Sequence, residues 1–144
     1  MFLSEITEQG VGPALVKTLA FQESRLRMIA ENVANAQTPG YRSKQLDVAG
    51  FQHSLREALL ARGNRTDGVL DVHSGEEVQT DEQGYLSVKP TQEPVENVLF
   101  HDGTNVSIEQ QMSDLAQTGM WSELAGKLLQ GRFEGLRKAI RGTA

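Results

Sequence analysis

The sequence predicts a mainly α chain: long N- and C-terminal helices pairing as a coiled-coil-like unit, around a loop-rich acidic middle segment with room for a small hairpin. Three observations predict it. Leu15, Leu19, Leu26, Ile29 and Val33 recur at heptad-like spacing, with Gln22 as the one polar interruption. A second series runs Ile108, Met112, Leu115, Gly119, Ser122, Gly126, Leu129, Phe133, Leu136, Ile140. Between them, glycine, proline and carboxylates dominate residues 64–105. The units are residues 1–41 (helix and turn), 42–106 (polar, partly mobile middle) and 107–144 (helix), the first and last forming one discontinuous domain.

The first helix is expected over about residues 14–36, with Pro13 in a first turn where its missing N–H costs nothing. It must stop before Thr38, because Pro39 pushes the preceding residue out of the helical region. Thr38-Pro39-Gly40-Tyr41 then reads as a type II turn: Pro39 presets the first central residue and Gly40 supplies the positive φ of the second. Asn32 and Asn35 are placed to hydrogen-bond carbonyls near the helix end or on a facing chain. The narrow seam suits one partner helix.

The last helix should start at Ser107. Ser107-Ile108-Glu109-Gln110 has the form of a capping box, in which hydroxyl and amide satisfy two orphan N–H groups reciprocally. Gly142 marks its end, giving a rod on the order of 50 Å long. Its seam is small in the middle (Gly119, Ser122, Gly126), while Met120, Trp121, Leu124 and Leu128 form a second apolar stripe beside it. A helix apolar on two faces needs more than one partner.

The middle segment begins with an extended piece and a short helix-like run over residues 51–60. Asp67, Asp71, Glu76, Glu77, Asp81, Glu82, Glu93, Glu96 and Asp102 outnumber Arg65 and Lys89 across its remainder. A hairpin is expected at Gly84-Tyr85-Leu86-Ser87-Val88.

Composition narrows the function. The hydrophobic share of the 144 residues is 38%, which makes an independent core thin. The net charge of −5 argues against nonspecific nucleic-acid binding. With no cysteine there is no disulfide framework, thiolate metal site or cysteine nucleophile. No stretch approaches the roughly 20 apolar residues of a membrane span, so no membrane insertion is expected. The start Met1-Phe2-Leu3-Ser4-Glu5 lacks the basic and apolar regions of a cleavable signal. His53, His73 and His101 lack metal-ligand spacing, and no nucleophile, base and orienting group come together. The expectation is a non-enzyme with no catalytic residues, no cofactor and no metal.

The run Asn32-Val33-Ala34-Asn35-Ala36-Gln37-Thr38-Pro39-Gly40-Tyr41 resembles the N-terminal signature of the flagellar axial proteins, the rod and hook subunits, with Gln37 where an acidic residue is common. Asp102-Gly103-Thr104-Asn105-Val106-Ser107-Ile108-Glu109 and the ending Arg132-Phe133, Leu136-Arg137-Lys138-Ala139-Ile140 resemble segments of that family's proximal rod members. The resemblance implies a self-assembling subunit of the proximal rod of the basal body, meeting copies of itself, other rod proteins, the basal-body adaptor protein and the flagellar export gate. It also implies a place in the periplasmic rod, reached through the flagellar type III apparatus without a cleaved signal. Phe51-Gln52-His53-Ser54-Leu55 has the Phe-x-x-x-hydrophobic form of a candidate export element. Another axial subunit, or a secreted helical adaptor using the same seams, are the alternatives.

Overall fold

The computed structural model describes residues 11–63, 65, 69–92 and 107–142. The N-terminal residues 1–10 and all of residues 93–106, with His101 and the 102–106 part of the second resemblance, lie outside the described residues.

Among the described residues seven elements follow in order: α1 (Gly12–Ala34), β1 (Lys44–Gln45), α2 (Val48–Arg62), β2 (Val78–Thr80), β3 (Leu86–Val88), β4 (Thr91–Gln92) and α3 (Ile108–Arg141). The chain is mostly helical, with long terminal helices and two small antiparallel sheets, β1–β4 and β2–β3. At about 1.5 Å per residue, α1 is about 35 Å long and α3 about 51 Å.

Local chemistry sets the boundaries. α1 carries its proline in the first turn and closes at Asn35, whose side-chain amide donates to the Glu31 carbonyl at 2.9 Å. The turn expected at residues 38–41 forms: the Tyr41 N–H donates to the Thr38 carbonyl at 3.1 Å and Gly40 has φ 74°. α2 is capped by Asp47, which accepts the Gly50 N–H at 2.8 Å. α3 starts after Ser107, whose hydroxyl accepts the Gln110 N–H at 3.4 Å, and stops at the left-handed Gly142. Only half of the capping box is made. The Gln110 amide turns instead to the Asp114 carboxylate at 3.2 Å, a charged acceptor one turn along the helix.

The middle segment is more structured than its composition suggests. The helix-like run becomes α2, and the expected hairpin is β2–β3, with Val78, Gln79 and Thr80 paired to Val88, Ser87 and Leu86. β1 pairs with β4 through Lys44–Gln92 and Gln45–Thr91, which returns the segment to its own start. Its isolated apolar residues gather beneath α1. Leu46, Phe51, Leu70, Val72 and Val78 enclose Ala14, Phe21, Met28 and Ile29 in one buried cluster. The Phe21 and Phe51 rings stack with centroids 4.0 Å apart and planes 1° from parallel. Each buried side chain of this size contributes roughly 1.5–3 kcal/mol, so this cluster is the main apolar support of the fold.

α1 and α3 run antiparallel. Asn32, near the end of α1, meets Gln111 at the start of α3, and Arg25, two turns earlier, meets Asp114 and Gln117. α1 therefore has two partners, α3 and the middle segment, where its narrow leucine seam implied one. The correction lies in Lys17, Phe21 and Met28, which the heptad count left off the seam and which the middle segment buries.

Candidate assembly surface

The signature residues converge on one buried side chain. Asn32 is fully buried at the end of α1. Its amide N–H groups donate to the Lys44 carbonyl at 2.8 Å and to Gln111 Oε1 at 3.1 Å. Its Oδ1 accepts from the Lys44 N–H at 2.9 Å and from the Tyr41 hydroxyl at 3.0 Å. One asparagine thus ties together α1, the chain leaving the turn, β1 and α3. Burial, reinforced by the Glu31 carboxylate and opposed by Lys44, raises the Tyr41 pKa. Asn35, Thr38, Pro39 and Gly40 do not join this cluster; they shape the turn at the surface, with Thr38 Oγ1 donating to Asn35 Oδ1 at 3.4 Å.

Between α1 and α3 the contact is polar. Arg25 is buried and donates to Asp114 Oδ1 and Gln117 Oε1, each at 3.3 Å. Gln111, Thr118 and Ala125 are the buried residues of α3, seven apart. Thr118 satisfies its hydroxyl on the Asp114 carbonyl. Gln22 Oε1 and Ser122 Oγ are buried without a hydrogen-bond partner. A half-satisfied polar layer holds two helices less firmly than apolar packing does.

Only part of the sequence-predicted seam lies to one side of this contact, since Leu129 and Leu136 fall within about 20° of Thr118. On α1, Ile29 is buried while Leu15, Leu19, Leu26 and Val33 are half-buried. On α3, Met112 (46% exposed), Leu115, Phe133 and Ile140 reach solvent, while Leu129 and Leu136 are half-buried. At about 100° per residue, Leu15, Leu26 and Val33 sit roughly 80–100° from Arg25 and Asn32, and Met112, Leu115 and Phe133 roughly 60–120° from Thr118, in the same rotational sense. In an antiparallel pair equal senses fall on the same side. Leu15 and Leu26 therefore lie on the same side of the pair as Met112, Leu115 and Phe133, whereas Ile29 and Val33 pack with the core cluster that the middle segment covers. The second stripe of α3 (Met120, Trp121, Leu124, Leu128) is also exposed, on the other flank of the polar ridge.

The candidate export element is split by burial. Phe51 is inside the stack with Phe21, and Leu55 packs against the same cluster. Sequence reasoning passed over Lys17, which is buried and donates to Thr80 Oγ1 at 3.2 Å and the Gly84 carbonyl at 3.0 Å, holding the β2–β3 hairpin on α1. Burial lowers its pKa, with Asp71 and Asp81 opposing the shift. A charge inside an apolar helix face is the signal that points to such a tie, though not to its partner. His53 and His73 pair with Glu57 and Asp71 at the surface. Among the described residues no group of acidic or histidine side chains could hold a metal ion, and no helix is long and apolar enough to cross a membrane.

Comparison with known proteins fits this geometry. The family described as "Flagella basal body rod protein" matches residues 14–42, the stretch from α1 through the turn to Tyr41. The chain is 23% identical to the flagellar basal body rod protein FlgB of Aeromonas hydrophila, over 86% of this chain and 87% of the relative. It is 29% identical to the FlgB of Borrelia hermsii over 81% and 85%, and 20% identical to that of Salmonella typhimurium LT2 over 88% and 89%. The matched stretch holds the buried Asn32 and its turn, and the alignments span most of both chains. The chain is thus similar to flagellar basal-body rod proteins over most of its length.

Proposed function

We propose that this chain is a structural subunit of the flagellar basal-body rod, building the proximal rod by stacking copies of itself through its terminal helices, as a structural part of the drive shaft and not as an enzyme. The observation that carries the reading is the exposed apolar surface of α3 at Met112, Leu115 and Phe133, beside the half-buried Leu15 and Leu26 of α1. Apolar surface of this kind is costly in water and is relieved when a neighbour covers it. In the assembled state the helices pair in a coiled-coil-like manner, and repeated head-to-tail contacts give a helical tube when the rotation does not close. Residues 1–41 and 107–144 act as one axial unit, with residues 42–106 as its outer part. Its other neighbours are the next rod proteins, the basal-body adaptor protein and the export gate. It reaches the periplasmic rod through the type III apparatus. Because Phe51 is enclosed by Phe21, an export element at Phe51 and Leu55 is readable only before the chain folds.

Replacing Leu26 and Leu115 together by aspartate tests the reading. Both side chains are partly open, so the purified variant is expected to keep its helical circular dichroism while basal bodies from cells carrying it lack a rod. Normal incorporation of a folded variant would remove these seams as the assembly surface.

A further inference from the structure

The helix pair has unequal arms. Asn32 faces Gln111 and Arg25 faces the turn at Asp114 and Gln117, so the numbers of facing residues sum to about 143. Gly12, where α1 begins, then stands opposite about residue 131, and α3 continues to Arg141. Along this overhang Leu129, Phe133, Leu136 and Ile140 line an apolar groove that Arg137 and Arg141 border. The lining holds one acid, Glu134, whose Oε1 accepts from the Gln130 amide at 3.0 Å. Over residues 132–141, Arg132, Arg137, Lys138 and Arg141 stand against that single carboxylate, so this end of α3 repels the same end of a second copy.

The turn of the β2–β3 hairpin has the opposite character. Over residues 69–92, Asp71, Glu76, Glu77, Asp81 and Glu82 stand against Lys89. Asp81 and Glu82 are exposed at the turn, next to a tyrosine, Tyr85, that is 73% exposed. The turn is fixed before any contact is made. Asp81 Oδ1 accepts the Tyr85 N–H at 2.7 Å, the Asp81 carbonyl accepts the Gly84 N–H at 2.9 Å, and Lys17 ties the Gly84 carbonyl to α1. A large aromatic on a preorganised turn loses little freedom on burial, which is what an interface anchor needs.

Hairpin and groove cannot meet within one chain. Around α1, Lys17 lies about 80° from Arg25; around α3, Phe133 and Arg137 lie about 60–100° from Thr118 in the opposite rotational sense. In an antiparallel pair opposite senses fall on opposite sides. The two features are nevertheless level along the pair, because Lys17 stands opposite about residue 126, where the groove begins. Two copies placed side by side in the same orientation bring the hairpin of one to the groove of the next.

We propose that the β2–β3 turn of one copy seats in the α3 groove of a neighbouring copy of this chain, with Tyr85 against Phe133 and Ile140 and with Asp81 and Glu82 toward Arg137 and Arg141. The contact joins unlike surfaces, so it repeats from copy to copy and gives a ring or a helix according to the rotation. The inference rests on the reading that copies of this chain assemble, and adds a lateral contact to the seams.

The absence of cysteine makes the test direct. Full-length chains carrying Gln83→Cys or Gln130→Cys, mixed in equal amounts and treated with a short bis-maleimide, should give a cross-linked pair that neither chain gives alone. Leu128→Cys, on the other flank of α3, should give none with Gln83→Cys; equal linking there would overturn the proposal. A single chain with both Gln83→Cys and Gln130→Cys should form a ladder of multimers, whereas a link within one chain, or dimers and nothing larger, would refute it. Adding Glu82→Lys to the first chain or Arg137→Glu to the second should each lower the yield about threefold, and mixing the two reversed chains should restore it. Unrestored yield would count against the pairing. Sedimentation of the unaltered chain separates this inference from the reading beneath it. Chains that associate without the Gln83–Gln130 link overturn the inference alone; chains that stay monomeric and unlinked overturn both.

Discussion

On one side of α1, Phe21 and Met28 sink among Phe51, Leu70, Val72 and Val78 of the middle segment. On the other side, Gln22, Arg25 and Asn32 meet Gln111, Asp114, Gln117 and Thr118 of α3, and two of the buried polar atoms there have no partner. The contrast is instructive because it inverts the expectation that the terminal helices form the core and the acidic segment decorates it. Apolar packing is non-directional and strong per unit area, so the first contact supplies stability. Hydrogen bonds gain little net energy but tolerate few geometries, so the second fixes register. A pair of helices aligned by polar contacts keeps its leucines on the outside, where another chain can use them.

The contrast can be broken from either side. Phe51→Ala removes half of the aromatic stack and opens a cavity in the only large apolar cluster among the described residues. A loss of about 3–5 kcal/mol is expected in urea unfolding. A smaller loss would mean that the α1–α3 contact carries more of the stability than its chemistry implies. Asn32→Ala leaves the Lys44 N–H, the Tyr41 hydroxyl and Gln111 without their shared partner. The expected cost is about 2 kcal/mol, together with loss of hydrogen-exchange protection at Lys44. Retained protection there would show that β1–β4 pairing alone holds this stretch. Gln22→Leu replaces a buried amide that has an unsatisfied oxygen with an apolar group of similar length. It should raise stability by about 1 kcal/mol. Destabilisation instead would reveal a partner for that oxygen and make the polar layer complete.

The two long helices could be read almost to the residue because their limits rest on local chemistry. Pro13, Ser107, Gly142 and the Thr38–Tyr41 turn act on backbone groups within a few positions of themselves. α2 was legible only in part, since its cap Asp47 precedes a weakly periodic run. Asn32 was recognisable as a hydrogen-bonding residue near a helix end, but its four partners come from Lys44, Tyr41 and Gln111, and only folding brings Gln111 within reach. Leu70, Val72 and Val78 were scattered apolar residues in an acidic segment, with no periodicity to announce a shared core.

By itself, then, the sequence determined where the helices start and stop, that the chain turns at Gly40, and that the last helix carries more apolar surface than one neighbour covers. Only the tertiary structure decided which surface is covered. Ridges on a helix lie tens of degrees apart, and the periodicity that marks an apolar ridge does not say whether the partner sits on it or on the polar ridge beside it. Here Arg25 and Asn32 find matching groups on α3, the middle segment takes Phe21, Met28 and Ile29, and Met112, Leu115 and Phe133 of α3 are left facing outward.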